Sequence, residues 1–327
     1  MHKISKLIQF MLLITATCSL TGCLARKPNI DIPTTPPPPR KIDHPDVALV
    51  LGGGGARGFA HVGVIKELEK NHIPINLIVG TSAGSLVGAL YADDPHANHL
   101  IKKLSKANKR DLFDISLAHP FLGFITGNDL ERFYLEHLQA HNFNQLKIPF
   151  IAMATDFTTG QPIQLRSGPI APAINASAAI PLAFRPVHMY GRTLVDGGVT
   201  DNVAADIARR YHPKLIIAVD INKNLDDKLP ANAFSILSRT YNITAQRLSD
   251  KITQQADIVL YPDVRQIGTF DDSDRNFLIK AGEKVAIKAM PLIKAEMKKD
   301  GIPFTQGTTI HEQKTPTQRI TTGTHHS

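Results

Sequence analysis

The chain has 327 residues, 43% of them hydrophobic, enough for one large or two ordinary domains and too apolar for disorder throughout. Its two cysteines, Cys18 and Cys23, both fall within the first 23 residues, which excludes zinc ribbons, cysteine nucleophiles and disulfides from the body of the protein. The formal charge of +8 comes with no Cys/His finger, basic zipper or aromatic RNA-binding signature, so it argues for no nucleic-acid partner and fits a weak bias toward acidic lipid headgroups.

In chain order, Lys3 and Lys6 precede a mostly apolar run from Leu7 to Leu20. That run is shorter than the roughly 20 residues a membrane-spanning helix needs, and small residues follow it, the pattern of a secretory signal. Its ending, Leu20-Thr21-Gly22-Cys23, resembles the lipobox of bacterial lipoproteins. The resemblance implies a signal peptide over residues 1–22 and lipidation of Cys23 as the first residue of the mature chain. It also implies a lipid-anchored place in a bacterial cell envelope, and Leu24 in place of an Asp after the cysteine points to the outer membrane.

Residues 23–45 hold seven prolines, including the run Pro36 to Pro39, and read as a semi-rigid tether. In the polyproline form, at about 3.1 Å per residue, it would reach on the order of 70 Å. Residues 304–327 read as a disordered polar tail. One domain remains, 46–303.

Within it, strand-like and helix-like runs alternate. Val47 to Leu51 is a continuous apolar run ended by glycines, as expected of a strand buried on both faces. His61, Val64, Ile65 and Leu68 recur at helical spacing, with Pro74 just beyond. A strand over Asn76 to Val79 and a helix carrying Leu86, Ala89 and Leu90 come next. Further strands are expected at Phe150 to Thr155, Thr193 to Val195, Leu215 to Val219 and Ile258 to Tyr261. Two longer helices carry Phe234, Leu237, Tyr241, Ala245, Leu248 and Ile252, and then Leu278, Ala281, Val285 and Ala289 with a kink at Pro291. Such alternation predicts an α/β fold with a largely parallel sheet flanked by helices.

Two glycine-bearing turns follow the first two strands, where open α/β sheets place their sites. Gly80-Thr81-Ser82-Ala83-Gly84 fits G-x-S-x-G in the strand–turn–helix context that makes this motif a nucleophile elbow. The first turn, Gly52 to Gly58, contains G-x-G-x-x-G, yet the place of a ribose-binding acid about 20 residues on is held by Ile78-Val79-Gly80. No Lys-Ser/Thr pair follows, so a Walker loop fails too. What the glycines offer is a row of unobstructed amides suited to an oxyanion.

A serine hydrolase also needs a base. His212 has the chain order of a hydrolase triad but sits before a strand, at the edge opposite the glycine turns, and His61 reads as a partly buried packing residue. Asp156, Asp196 and Asp220 all end strands on the correct edge, and spacing alone leaves the three open. His137 and His141 have the spacing of a zinc pair without the intervening Glu or a third ligand, so no metal site is expected there.

The ordered set G-G-G-x-R-G (Gly53 to Gly58), G-T-S-A-G (Gly80 to Gly84) and D-G-G (Asp196 to Gly198) resembles the patatin-like phospholipase family. Ala154-Thr155-Asp156 with Thr159-Gly160, and Ala176 to Pro181, fit as well. The resemblance covers roughly Val47 to Val219. It implies a three-layer α/β/α fold and a Ser–Asp dyad without histidine, in which Ser82 is the nucleophile and Asp196 its base. Gly53, Gly54, Gly55, Arg57 and Gly58 would form the oxyanion loop, Gly80 and Gly84 the elbow, and Gly197 and Gly198 the acid motif, with Gly198 standing where the family also has Ala.

The implied activity is lipid acyl hydrolysis of phospholipids, lysophospholipids or simpler esters, without cofactor or metal. An acyltransferase or thioesterase with the same dyad, or a non-catalytic lipid-binding envelope lipoprotein, are the alternatives. Phe113, Ile115, Phe121, Leu122, Phe124 and Ile125 are candidates to line an acyl pocket.

Overall fold

The computed structural model describes residues 30–106, 114, 123–222, 233–264, 267–268 and 273–303. Cys23 and the signal region, the tail 304–327, and Phe113, Ile115, Phe121 and Leu122 lie outside the described residues.

The expected alternation builds an eight-stranded sheet of order β5-β6-β3-β2-β1-β7-β8, with β4 beside β3. β1 (Val47–Leu51), β2 (Leu77–Thr81), β3 (Phe150–Asp156), β7 (Leu215–Val219) and β8 (Ile258–Leu260) run parallel. β4 (Pro162–Leu165), β5 (Val187–Met189) and β6 (Arg192–Asp196) form an antiparallel flank. The result is a mostly parallel mixed sheet flanked by helices. All five residues of β1, β2 and β7 are buried, which explains why their sequences are apolar without alternation.

The pleat sorts these strands between two cores. Val47, Leu49, Leu51, Ile78, Phe150, Ala152, Ile217 and Val219 face one side, under α1 (Phe59–Lys70), α2 (Ala83–Asp93), α4 (Asn128–His137), α5 (Ile170–Ser177) and α8 (Arg275–Lys299). Ala48, Val50, Leu77, Val79, Ile151, Met153, Ile216 and Ala218 face the other, where α6 (Ala205–Arg209) supplies Ile207 and Ala208. Helix α3 (Ala97–Lys106) follows α2, and α7 (Ala233–Ile252) precedes β8.

Two expectations need correction. Ile30 and Ile32 pack on the first core, Ile42 on the second, and Arg40 donates to the Leu146 carbonyl at 3.1 Å. Residues 30–45, the larger part of 23–45, therefore lie along the domain and do not stand free as a tether. Leu237, placed on the apolar stripe of its helix, is half exposed. Pro291 stands inside α8 without ending it. That helix crosses α1 where a Cβ on Gly63 would meet the Ile279 carbonyl and one on Gly282 the Ala60 carbonyl, an approach only glycines permit.

Candidate active site

β1 has β2 on one side and β7 on the other, so the chain order reverses there and the site forms at the strands' C-terminal ends. The glycine turn leaving β1 is tied to this point. Gly52 N–H donates to Val219 O (3.0 Å) and Gly53 N–H to Asn202 O (3.1 Å), while the Asn202 amide returns a bond to Gly53 O (3.3 Å). His61 is wholly buried, more than the partial burial expected of it. Burial lowers its pKa to about 4, so the neutral ring donates Nε2–H to the Gly52 carbonyl at 2.8 Å. Arg57 is buried and donates to Ile267 O (2.7 Å) and to Asn222 Oδ1 (3.0 Å), which anchors the loop's far end. Gly54 and Gly55 follow with no backbone acceptor for their amides among the described residues outside the helices and strands.

Ser82 joins β2 to α2 with φ 50° and ψ −119°, a strained conformation for a residue with a side chain. The flanking glycines make the turn possible. A Cβ on Gly80 would come within 2.6 Å of the Gly84 carbonyl, and one on Gly84 would strike the Leu51 carbonyl. Ser177 Oγ accepts the Ser82 N–H at 3.1 Å, and Ser85 Oγ donates to Ser82 O at 2.7 Å. Ser82 thus stands at the N-terminus of α2, where negative charge is favoured. A Cβ on Gly53 would lie only 3.0 Å from Ser82 Cβ, so the two glycine turns face one another.

β3 brings the third motif in. β4 occupies one edge of β3 over 152–155, so β2 and β6 must share the other edge: β2 pairs as far as Thr81↔Met153, and β6 starts at Asp196↔Ala154. The residue after β2, Ser82, and the residue ending β6, Asp196, therefore abut. Asp196 is fully buried. Its Oδ1 accepts Gly198 N–H (2.7 Å) and the Tyr241 hydroxyl (3.1 Å). Oδ2 is buried with no partner of full hydrogen-bond geometry, and the Ser82 hydroxyl is the remaining side-chain group whose hydrogen bond bears on the carboxyl. Burial raises the Asp196 pKa to about 6 against these three donors. A Cβ on Gly197 would strike the Met153 carbonyl, so that glycine is sterically required, whereas one on Gly198 would meet the Tyr241 hydroxyl, the end of a side chain that would have to shift.

The other candidates are occupied elsewhere. Asp156 Oδ2 pairs with Arg192 at 2.6 Å and its Oδ1 accepts from Thr158 and Thr159. Asp220 Oδ1 accepts from the Asn222 amide. His212 precedes β7 beside His44, at the strands' N-terminal edge. His137 ends α4, stacked on Phe133 with Nδ1 on the Phe133 carbonyl, and the chain turns extended at Leu138, so His141 shares no helix face with it. Phe124 is exposed and Ile125 half-buried beside Phe184. A cleft of about 370 Å³ lies elsewhere, between Phe59, Val62, Ile101, Leu104 and Ile279. Sequence reasoning missed Tyr241, Asn202 and Ser177 as site residues; for the last two the signal was their position within or just after a glycine-rich or small-residue motif.

Comparison with known proteins places the chain among relatives of one family. The model of the patatin-like phospholipase family matches residues 49–209. Lysophospholipase nte1 of Aspergillus fumigatus is 35% identical over 188 residues, covering 56% of this chain and 12% of that protein. Patatin-like phospholipase domain-containing protein 6 of Homo sapiens is 31% identical over 228 residues, covering 68% of this chain and 16% of the other. The chain thus spans a small fraction of the length of the curated relatives it matches. Among solved structures, VipD from Legionella pneumophila shares the fold with a TM-score of 0.51 at 13% identity, over 78% of this chain and 68% of that one.

Proposed function

The chain belongs to the patatin-like phospholipase family, and on that premise we propose that it is a lipid acyl hydrolase, a serine carboxylic-ester hydrolase acting on phospholipids, lysophospholipids or related fatty esters. The observation that carries this reading is the abutment of Ser82 with a buried Asp196 whose other oxygen is held by two donors.

The Asp196 carboxylate takes the Ser82 proton as Oγ bonds to the ester carbonyl carbon. A hydrogen bond that is loose at rest tightens when substrate is bound. The Gly54 and Gly55 amides, with the first free amides of α2, stabilise the oxyanion. The tetrahedral adduct collapses, the carbon–oxygen bond to the alcohol breaks, and Asp196 returns the proton to the leaving alcohol. Water then attacks the acyl-enzyme, giving its proton to Asp196, and the fatty acid leaves as Ser82 regains its hydrogen. Every proton is carried by the dyad, so the scheme needs no cofactor or metal.

We further propose a signal peptide over residues 1–22 and acylation of Cys23, which holds the catalytic domain at the outer membrane of a bacterial cell envelope. Among the described residues no helix is long and apolar enough to cross a membrane, and a lipid would supply the attachment.

The test is hydrolysis of p-nitrophenyl acyl esters and of lysophospholipid in the presence of a chelator. Activity by the wild-type chain, lost in Ser82→Ala and in Asp196→Asn, supports the reading; full activity in either variant refutes it. Product analysis with an added acceptor alcohol separates hydrolysis from acyl transfer.

A further inference from the structure

We propose that Asp94, His96 and His99 form a binding site for one divalent transition-metal ion of the zinc type, remote from the catalytic residues. In the sequence Asp94-Pro95-His96-Ala97-Asn98-His99, α2 has just ended and Pro95 prevents its continuation. The chain folds back, with His96 N–H on Asp94 O (2.7 Å) and His99 N–H on His96 O (3.0 Å), and α3 begins. Two imidazoles three residues apart then share one face of the first turn, directly over the preceding carboxylate.

Both rings present Nδ1 inward. His96 Nδ1 is 2.9 Å from Asp94 Oδ1 and His99 Nδ1 is 2.8 Å from Oδ2. The three ligand atoms all lie within 4.8 Å of one another. The carboxylate is held, its side chain 12% exposed, while the imidazoles are 60% and 59% exposed, which leaves an open approach for an ion and for water as a further ligand. Tetrahedral ligands at about 2.1 Å from zinc stand about 3.4 Å apart, so each Nδ1–carboxylate distance needs to open by only about half an ångström. In the metal-free arrangement each Nδ1–H donates to an Asp94 oxygen; an ion entering between them takes the place of these two hydrogens, each ring proton passing through water to Nε2 so that the Nδ1 lone pair coordinates. Two imidazoles with one carboxylate suit zinc, cobalt or nickel and not calcium or magnesium.

Two cations oppose an ion here: Lys103, which pairs with Asp93 at 3.4 Å, and Lys147, whose Nζ is 3.6 Å from Asp94 Oδ1 on a half-exposed side chain that can swing into solvent. The position is separate from the dyad. Ser82 starts α2, Asp94 follows its end, and the Ala92 carbonyl there accepts from Lys147 and Ile148, just before β3 begins. The site therefore lies at the strands' N-terminal edge.

The test uses the tag-free full chain, with zinc titrated against a chromophoric chelator and cobalt(II) followed by its visible absorption. The wild type is expected to bind one equivalent. Asp94→Asn, His96→Gln and His99→Gln are each expected to weaken zinc by at least about tenfold, with ester hydrolysis unchanged. Absence of saturable binding by the wild type, or binding unaltered in all three variants, overturns the assignment.

Discussion

Thr81 pairs with Met153 and Asp196 with Ala154, neighbouring rungs on one edge of β3, so a single strand aligns the serine that follows β2 with the aspartate that ends β6. Their separation is fixed by sheet register, not by the fit of mobile loops. The remaining contacts refine this: Ser177 holds the serine's amide, and Gly198 and Tyr241 hold the carboxylate.

Because Asp196 acts as base in its ionised form and its pKa is raised to about 6, kcat/KM should rise with pH through about 6 and then level off. Tyr241→Phe removes a donor that favours the carboxylate, so the acid limb should move to higher pH while activity well above it changes little. A pH–rate profile of both proteins checks this.

The same burial has a cost in stability. Asp196 titrates near 6 when folded and near 3.8 when unfolded, so the folded state binds more protons in between, and its contribution to stability is lost as pH rises through that window. Asp196→Asn keeps the acceptor for Gly198 and Tyr241 without the charge. It should therefore be more stable than wild type at pH 8, by up to about 3 kcal/mol, with the difference vanishing near pH 4. Thermal melts at the two pH values measure it.

Ser82→Gly should raise the melting temperature while abolishing hydrolysis. Relief of the positive φ at this position is worth about 1–3 kcal/mol, less roughly 1 kcal/mol for the greater freedom of glycine in the unfolded chain. Calorimetry beside an ester assay tests both halves.

The two glycine turns should respond differently to alanine. Gly84→Ala drives a methyl into the backbone of Leu51, which cannot yield, and should prevent folding. Gly53→Ala meets the Asn202 side chain and Ser82 Cβ, which can shift, so the protein should fold with kcat/KM reduced by about tenfold or more. Circular dichroism and kinetics of the pair distinguish the two outcomes.

The elements legible in the sequence were those with a single strong signal. β1 and β7 are apolar runs with sharp ends and were read to the residue, because strands buried on both faces leave no alternation to misjudge. β4 (Pro162–Leu165) is short, half-exposed and begins with proline, and α5 (Ile170–Ser177) contains Pro172, so neither shows a clean period. Spacing left Asp156, Asp196 and Asp220 equivalent. The difference between them is which strand β6 pairs with and at what register, a tertiary fact with no local trace. Tyr241 was visible only as a member of an apolar stripe; its hydroxyl on Asp196 depends on how α7 packs.

A Ser82 hydroxyl activated by Asp196 should react with an alkyl fluorophosphonate, since Oγ displaces fluoride at phosphorus and the adduct can be mapped by peptide mass. One adduct is expected, on the peptide containing Ser82, with none in Ser82→Ala and labelling slowed at least about a hundredfold in Asp196→Asn. An adduct on another residue, or an unchanged rate of labelling in Asp196→Asn, would contradict it.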